Sequence, residues 1–274
     1  MGLVSKRILV NVLLLALVIA LAVGAWWWKG HKNAAQLTSL VAFSVGDVKE
    51  LVIKRHQHDE QAELAFVRQE DQWMMTKPKV FPANKIRLRQ VLTLIDEPVQ
   101  AEYSADSDQL SAYGLLPPVL SLKINDQIID LGKSNPVSGS RYVLHQGKVK
   151  LVNETVFSEL QSDWLYFIAP QLIPSKSTLQ QITFPDGSMA NDAQMLAWQK
   201  AEATRLEQTQ SAQATEALGS ISAKLADGNL IEWRLGKLPN NDWAFDQVEN
   251  GLRYRLPLDQ VRSLLPKTLL PDAQ

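Results

Sequence analysis

Two hydrophobic patterns divide the chain. The first is one unbroken run, Ile8 to Ala25 (ILVNVLLLALVIALAVGA), with no charged residue in it. About 20 apolar residues are what a helix needs to span a hydrocarbon core roughly 30 Å thick. The second pattern begins after residue 47 and consists of short β-branched or alternating segments separated by turn residues, the mark of strands. It predicts strands over Val48–Lys54, Leu64–Arg68 and Gln72–Thr76, and a helix over Ala83–Ile95 bounded by Pro82 and Pro98. A strand over Val99–Tyr103 follows. Val119–Ile124 and Ile128–Leu131 form a hairpin about Asn125-Asp126, and Arg141–His145 and Val149–Val152 another about Gln146-Gly147-Lys148. A short helix capped by Asn153 runs to Leu160. Further strands are read at Leu179–Phe184, Ile221–Leu225, Leu230–Leu235, Trp243–Phe245 and Leu252–Leu256, with a last helix from Pro257 to Leu265. Residues 188–218 are rich in Ala, Gln, Thr and Glu and read as an exposed helical excursion.

The flanks of the apolar run say how it is used. Lys6 and Arg7 precede it, and Trp26, Trp27 and Trp28 follow it like an interfacial aromatic belt. Ile8, Leu14, Ile19 and the three tryptophans are the expected anchor residues. So short a basic tail favours a cytoplasmic N-terminus, which exports everything after the run. A cleaved signal peptide is the alternative, because Val23-Gly24-Ala25 has the small residues of a cleavage site. Both readings export the rest. The expected organisation is a tail and transmembrane anchor over 1–28, a stalk over 29–47 whose Leu37, Leu40, Val41 and Phe43 could dock on the domain, a first α+β unit over 48–170 and a second over 171–274. The second unit carries the excursion at 188–218. The fold class is therefore α+β: a single transmembrane helix, then a β-rich domain of mostly antiparallel sheets with a few helices.

That domain carries signs of an internal duplication. Pro82-Ala-Asn84-Lys-Ile86-Arg87 resembles Pro257-Leu-Asp259-Gln-Val261-Arg262, both at helix starts, and a Trp-bearing strand precedes each (Trp73; Trp243). Each section also opens on a similar strand, LVIK at 51–54 and ITF at 182–184.

Composition removes several chemistries. The 274 residues hold 28 basic and 29 acidic side chains, so no electrostatic footprint for nucleic acid exists. The chain has no cysteine, which excludes disulfides, thiol catalysis, Fe–S clusters and Cys-based zinc sites. Setting Lys6 and Arg7 aside leaves 26 basic against 29 acidic residues, an ordinary soluble surface.

Candidate chemistry is sparse. His56-Gln-His58-Asp59-Glu60 is the densest group of metal-ligand side chains, and it reads better as a polar hairpin tip. No GxxxxGK[ST], GxGxxG or GxSxG occurs, and no histidine is placed suggestively for a serine nucleophile. Asp106, Asp108, Asp126 and Asp130 are acids of solvated turns rather than a facing carboxylate pair. Catalytic, cofactor and metal sites are thus expected to be none. Met195, Trp198 and Leu206 form an apolar stripe on the polar excursion and are the candidate partner surface, or else they dock that helix onto its own domain.

One stretch resembles a known family. Asp108-Gln-Leu110-Ser-Ala-Tyr113-Gly114-Leu115-Leu-Pro-Pro118 is followed by a strand, a hairpin, Leu131-Gly132 and Arg141-Tyr142-Val143, and preceded by Trp73, Pro78 and Pro82-Ala83. Over roughly residues 45–170 this is similar to an uncharacterised bacterial family encoded beside gliding-motility-type ABC transporter genes and their auxiliary membrane proteins. The resemblance implies a membrane-anchored, non-catalytic envelope protein, with no catalytic residues to carry over. Read physically, Gly114 is a helix C-cap in the left-handed region and Pro117-Pro118 prevents the helix from resuming. The expectation is a single-pass inner-membrane accessory or scaffold subunit with a periplasmic domain. It would hold the bilayer through its N-terminal helix and a membrane protein partner through the domain. The alternative is a periplasmic module that binds a lipid, glycan or peptide.

Overall fold

The computed structural model describes residues 14–24, 39–56, 63–209, 216–238 and 242–270. Ile8, the Trp26–Trp28 belt, Leu37 and the His58-Asp59-Glu60 group lie outside them. Residues 14–24 form helix α1, about 16 Å long at 1.5 Å per residue. Among the described residues no helix is long and apolar enough to cross a membrane. Leu14, Leu15, Leu17, Val18, Ile19, Leu21 and Val23 on α1 are all 54–66% exposed.

The body is built of antiparallel sheets. The first unit holds β1 (Glu50–Arg55), β2 (Glu63–Gln69), β3 (Gln72–Lys77), β4 (Phe81–Pro82), α2 (Lys85–Leu92) and β5 (Ala101–Ser104). It continues through α3 (Ser107–Leu110), β6 (Leu120–Ile124), β7 (Gln127–Ser134), β8 (Arg141–His145), β9 (Lys148–Val152) and α4 (Phe157–Leu160). Its nine strands lie in the order β4-β3-β2-β1-β6-β7-β8-β9-β5. Both expected hairpins form. Asn125 (φ 51°) turns β6 into β7, and Gln146 (φ 50°) with Gly147 (φ 71°) turns β8 into β9, the positive φ values that two-residue hairpins need.

Alternation decides the core. Leu51 and Ile53 lie opposite Phe66 and Leu64 on one side and opposite Ile124 and Leu122 on the other, and all six are buried. That face is covered by Leu88, Val91 and Leu92 of α2, by Leu160 of α4, and by Trp164 and Phe167 of a 3-10 turn. Leu40 and Val41 of the expected stalk are buried in the same core and Phe43 packs against it, so these residues dock on the body as expected. Asn153 does not cap a helix; α4 starts later, with Val156 at its N-cap.

The second unit holds β10 (Leu179–Thr183), α5 (Asp192–Lys200), β11 (Arg205–Gln208), β12 (Glu216–Leu225), β13 (Leu230–Lys237), β14 (Trp243–Gln247), β15 (Leu252–Leu256) and α6 (Leu258–Leu264). Its six strands run β10-β12-β13-β14-β15-β11. The long excursion expected over 188–218 is thereby corrected. Among its described residues only Asp192–Lys200 is helical, opened by an Asn191–Gln194 capping box; 205–208 form β11 and 216–218 begin β12. β11 pairs along its length with β15, from Arg205 opposite Arg255 to Gln208 opposite Leu252, and Glu216 and Ala217 of β12 pair with Lys237 and Gly236 of β13, so tertiary pairing outweighs the helix-favouring composition.

Both units contain a four-stranded meander that ends in a helix: β1-β2-β3-β4-α2 and β12-β13-β14-β15-α6. Their registers correspond. Trp73 on the third strand accepts the amide of Ala83, the residue before the helix N-cap Asn84. Trp243 on the other third strand lies opposite Leu256, the residue before the N-cap Pro257. The six-residue proline match is therefore two residues out of register: it sets the 79%-exposed Ile86 against the fully buried Val261. Aligned cap to cap, Leu88, Val91 and Leu92 fall on Val261, Leu264 and Leu265, and all six are buried. β12, and not β10, stands where β1 does.

Candidate functional site: the cleft between the two units

The chain that joins the units is itself paired to both. Asn84 and Ala169 donate their amides to Phe167 O and Pro82 O, which ties the joining segment to the β4 edge of the first sheet. A few residues on, Leu172 donates to Ala201 O and Ala203 to Pro170 O, just before β11, an edge strand of the second sheet. Pro170 and Pro174 lack an amide of their own, so the segment pairs only intermittently. The edges are spliced without closing into one sheet, and a cleft of about 480 Å³ remains between them.

Its floor is apolar and its walls are rich in carboxamides. Trp73, Phe81, Ile168, Leu172 and Ile231 contribute the first; Gln72, Gln171, Gln247 and Asn250 contribute the second. Gln171 donates to Glu202 at 2.7 Å and Gln72 to Ser175 at 3.3 Å. Asn84 also lines the cleft, but its oxygen is spent on the first turn of α2, accepting from the Ile86 and Arg87 amides. Lys85 and Lys176 balance Asp71 and Glu202, so the lining has no net charge. At one end Tyr254, only 6% exposed, donates its hydroxyl to Gln247 Oε1 across 3.4 Å, the outer limit for a hydrogen bond. Burial pushes its phenol up to about 12, so the hydroxyl keeps its proton and can donate a hydrogen bond at any physiological pH.

The expected site residues are distributed otherwise. Trp198 is fully buried and so is no surface anchor. Its indole packs on Trp233 and Phe245, and its Nε1–H donates to Leu264 O at 3.0 Å. Met195 and Leu206 are partly buried against the same core. The three do not form one stripe: Met195 and Trp198 lie on the docking face of α5, where one large ring satisfies both the core and the open end of α6, and Leu206 lies on β11 opposite Tyr254 of β15. Leu14 and Ile19 are exposed on α1.

The family-like motif closes on itself. Gly114 (φ 67°) ends α3 in a Schellman pair, with Leu115 N bonded to Leu110 O and Gly114 N to Ser111 O. A Cβ on Gly132 would stand 2.3 Å from Tyr113 O, which is why that strand carries glycine there. Tyr113 stacks on Tyr142 at 4.3 Å, and Arg141 lies over the Phe157 ring while bonding Gly132 O and Glu154. These residues, far apart in sequence, make one packed corner.

One constellation went unread in the sequence. His56 Nε2 lies 2.9 Å from Ser121 Oγ, which lies 2.5 Å from Asp130 Oδ1. Chemically it is the wrong order for a nucleophile, since the serine proton is held by the carboxylate and not by the imidazole. Among the described residues no group of His, Asp and Glu could hold a metal ion. Asp106 caps α3 and Asp126 sits in the β6–β7 turn.

The cleft residues were missed because they come from separated segments, 71–86, 168–176, 202, 231 and 247–254. Each amide, met alone, reads as a solvated turn residue. No curated protein matches the chain, and no solved structure does. A family model does match, over residues 73–233, from Trp73 on β3 of the first meander to Trp233 on β13 of the second. More than half of the chain lies within that match, and the protein belongs to the family of the domain of unknown function DUF4340.

Proposed function

We propose that this protein is a membrane-anchored, non-catalytic accessory or scaffold subunit of a bacterial envelope complex, associated with an ABC-type transporter and acting through protein contacts. The supporting observation is α1. Seven large aliphatic side chains of one short helix are each more than half exposed, an arrangement that the hydrophobic effect disfavours unless lipid or a partner covers them. With residues 8–13 and 25 added, the apolar run reaches the length of a spanning helix. A tether of this kind raises the effective concentration of the body near its membrane partner, so weak contacts suffice. The corresponding registers of the two meanders support descent from one duplicated unit. The test is membrane fractionation: the full chain should stay with the bilayer through alkaline carbonate extraction, and a chain beginning at residue 39 should be released. Extraction of the full chain by carbonate would refute the anchor.

The cleft favours a second reading, that the body is also a ligand-binding module. A recess within the usual range of about 300–1,000 Å³, with an apolar floor and a few convergent polar groups, is the common form of such a site.

A further inference from the structure

The cleft's own chemistry selects among ligands, an inference that rests on the ligand-binding reading. Addition of a peptide strand needs an open sheet edge, and the β4 edge and the chain leading into β11 are already paired with residues 167–172. An anion gains nothing from a lining whose two ammonium groups are balanced by two carboxylates. A fatty chain suits a closed apolar tunnel, whereas five carboxamides, that of Asn84 spent on α2, and the Tyr254 hydroxyl line this one. A carboxamide offers two donors and two acceptor sites, and a sugar hydroxyl both donates and accepts. Little of that capacity is used within the protein. Gln72 and Gln171 each spend one donor, Gln247 accepts one long bond from Tyr254, and Asn250 makes no side-chain hydrogen bond among the described residues. The buried phenol is the sharpest point. A hydroxyl this enclosed ordinarily finds a good partner, and here its bond is stretched to 3.4 Å toward a residue that lines the same recess.

We propose that the cleft between the two units binds a short neutral oligosaccharide, with Tyr254, Gln247 and Asn250 recognising its hydroxyls and the Trp73–Phe81–Ile231 floor taking the apolar face of a sugar ring. A free oligosaccharide and the strand of an insoluble polymer share this chemistry.

The absence of cysteine permits a clean test. The full chain in lipid nanodiscs carries Lys85→Cys on the cleft rim, labelled with an environment-sensitive dye; Lys85 is exposed. A second preparation carries the label at Val137→Cys, on the fully exposed β7–β8 loop. Maltotriose, cellotriose, chitotriose, octanoate and tetraalanine are titrated in turn. Expected is a saturable response to at least one trisaccharide at position 85 and none at 137, with the apparent Kd raised at least fivefold by Tyr254→Phe and by Asn250→Ala. Tyr254→Phe changes one atom and Asn250 is a partly exposed turn residue, so both should fold, as circular dichroism will verify. Co-sedimentation with insoluble cellulose and chitin then separates the polymer source from the free sugar. Saturation by octanoate or tetraalanine alone would overturn the sugar and keep the ligand-binding reading. Saturation by none of the five would overturn both. Sugar binding indifferent to both substitutions would overturn the assignment to this cleft.

Discussion

The two meanders are the same solution closed by different lids. In the first, β1-β2-β3-β4-α2 is covered by a segment that arrives later in the chain: Phe167 meets Phe66 edge-on at 5.4 Å and Trp164 stacks on Phe81 at 5.9 Å. In the second, β12-β13-β14-β15-α6 is covered by α5, which comes earlier, with Trp198 against Trp233 and Phe245 at 5.3 and 5.6 Å. What the units keep in common is the part whose geometry is mutually dependent: a Trp on the third strand, facing the residue before the helix cap. What differs is which outside segment brings the aromatic plug. A meander with one apolar face needs a cover of the right shape and is indifferent to the direction from which it comes.

Removing the plug is the strongest way to break that comparison. Trp198→Ala should destabilise the second unit by about 3–5 kcal/mol, the usual cost of deleting a large buried ring. Trp198→Phe keeps the ring contacts but strands Leu264 O, and should cost about 1–2 kcal/mol. Hydrogen exchange tells the units apart: Trp198→Ala should speed exchange in β13 and β14 more than in β2 and β3, and Phe167→Ala should do the reverse. Uniform acceleration would mean that the two covers do not serve separate units.

A smaller effect distinguishes the other faces of the sheets. With the Trp strands matched at Trp73 and Trp243 and the fourth strands matched at their caps, Asp246 and Arg253 stand where Thr76 and Val80 do. Asp246 and Arg253 form a buried two-bond pair at 2.6 and 2.7 Å, flanked by Arg255 on Glu207 and Asp242, and the carboxylate raises the Arg253 pKa above its ordinary value. Arg253→Met leaves a desolvated carboxylate and should cost about 3 kcal/mol in urea unfolding. The double variant with Asp246→Leu should recover most of that loss, because two buried charges are expensive to desolvate. No recovery would show that the pair contributes to stability well beyond its own desolvation.

The comparison also shows what could be read in advance. Strand and hairpin positions, the two Trp strands and both proline-led helices were legible, since alternation and turn residues act over a few residues. The register of the duplication was not: Pro82 and Pro257 look equivalent as letters, yet one ends a strand and the other caps a helix. Trp198 misled for a related reason. Eight of the nine residues of α5 keep some contact with solvent, so their polarity hid the one position that turns fully inward. The cleft was invisible because its lining is assembled by the joining segment from distant turns.

Caps give the finest test of equivalence. Asn84 accepts from two amides of α2, whereas Pro257, at the matching position of α6, has no side-chain acceptor to offer. Asn84→Ala should therefore cost about 1 kcal/mol. Pro257→Asp supplies the missing acceptor beside the positive end of α6, and Pro257 already holds the extended conformation of a cap (φ −74°, ψ 154°). Losing the proline frees the unfolded chain and gives back part of that gain, about 0.4–1 kcal/mol. The net should be a rise of a few tenths of a kcal/mol, read as a higher urea midpoint at unchanged slope. A fall instead would mean that the two caps, though aligned in register, are not interchangeable, and that the second unit has come to depend on the rigidity of its proline.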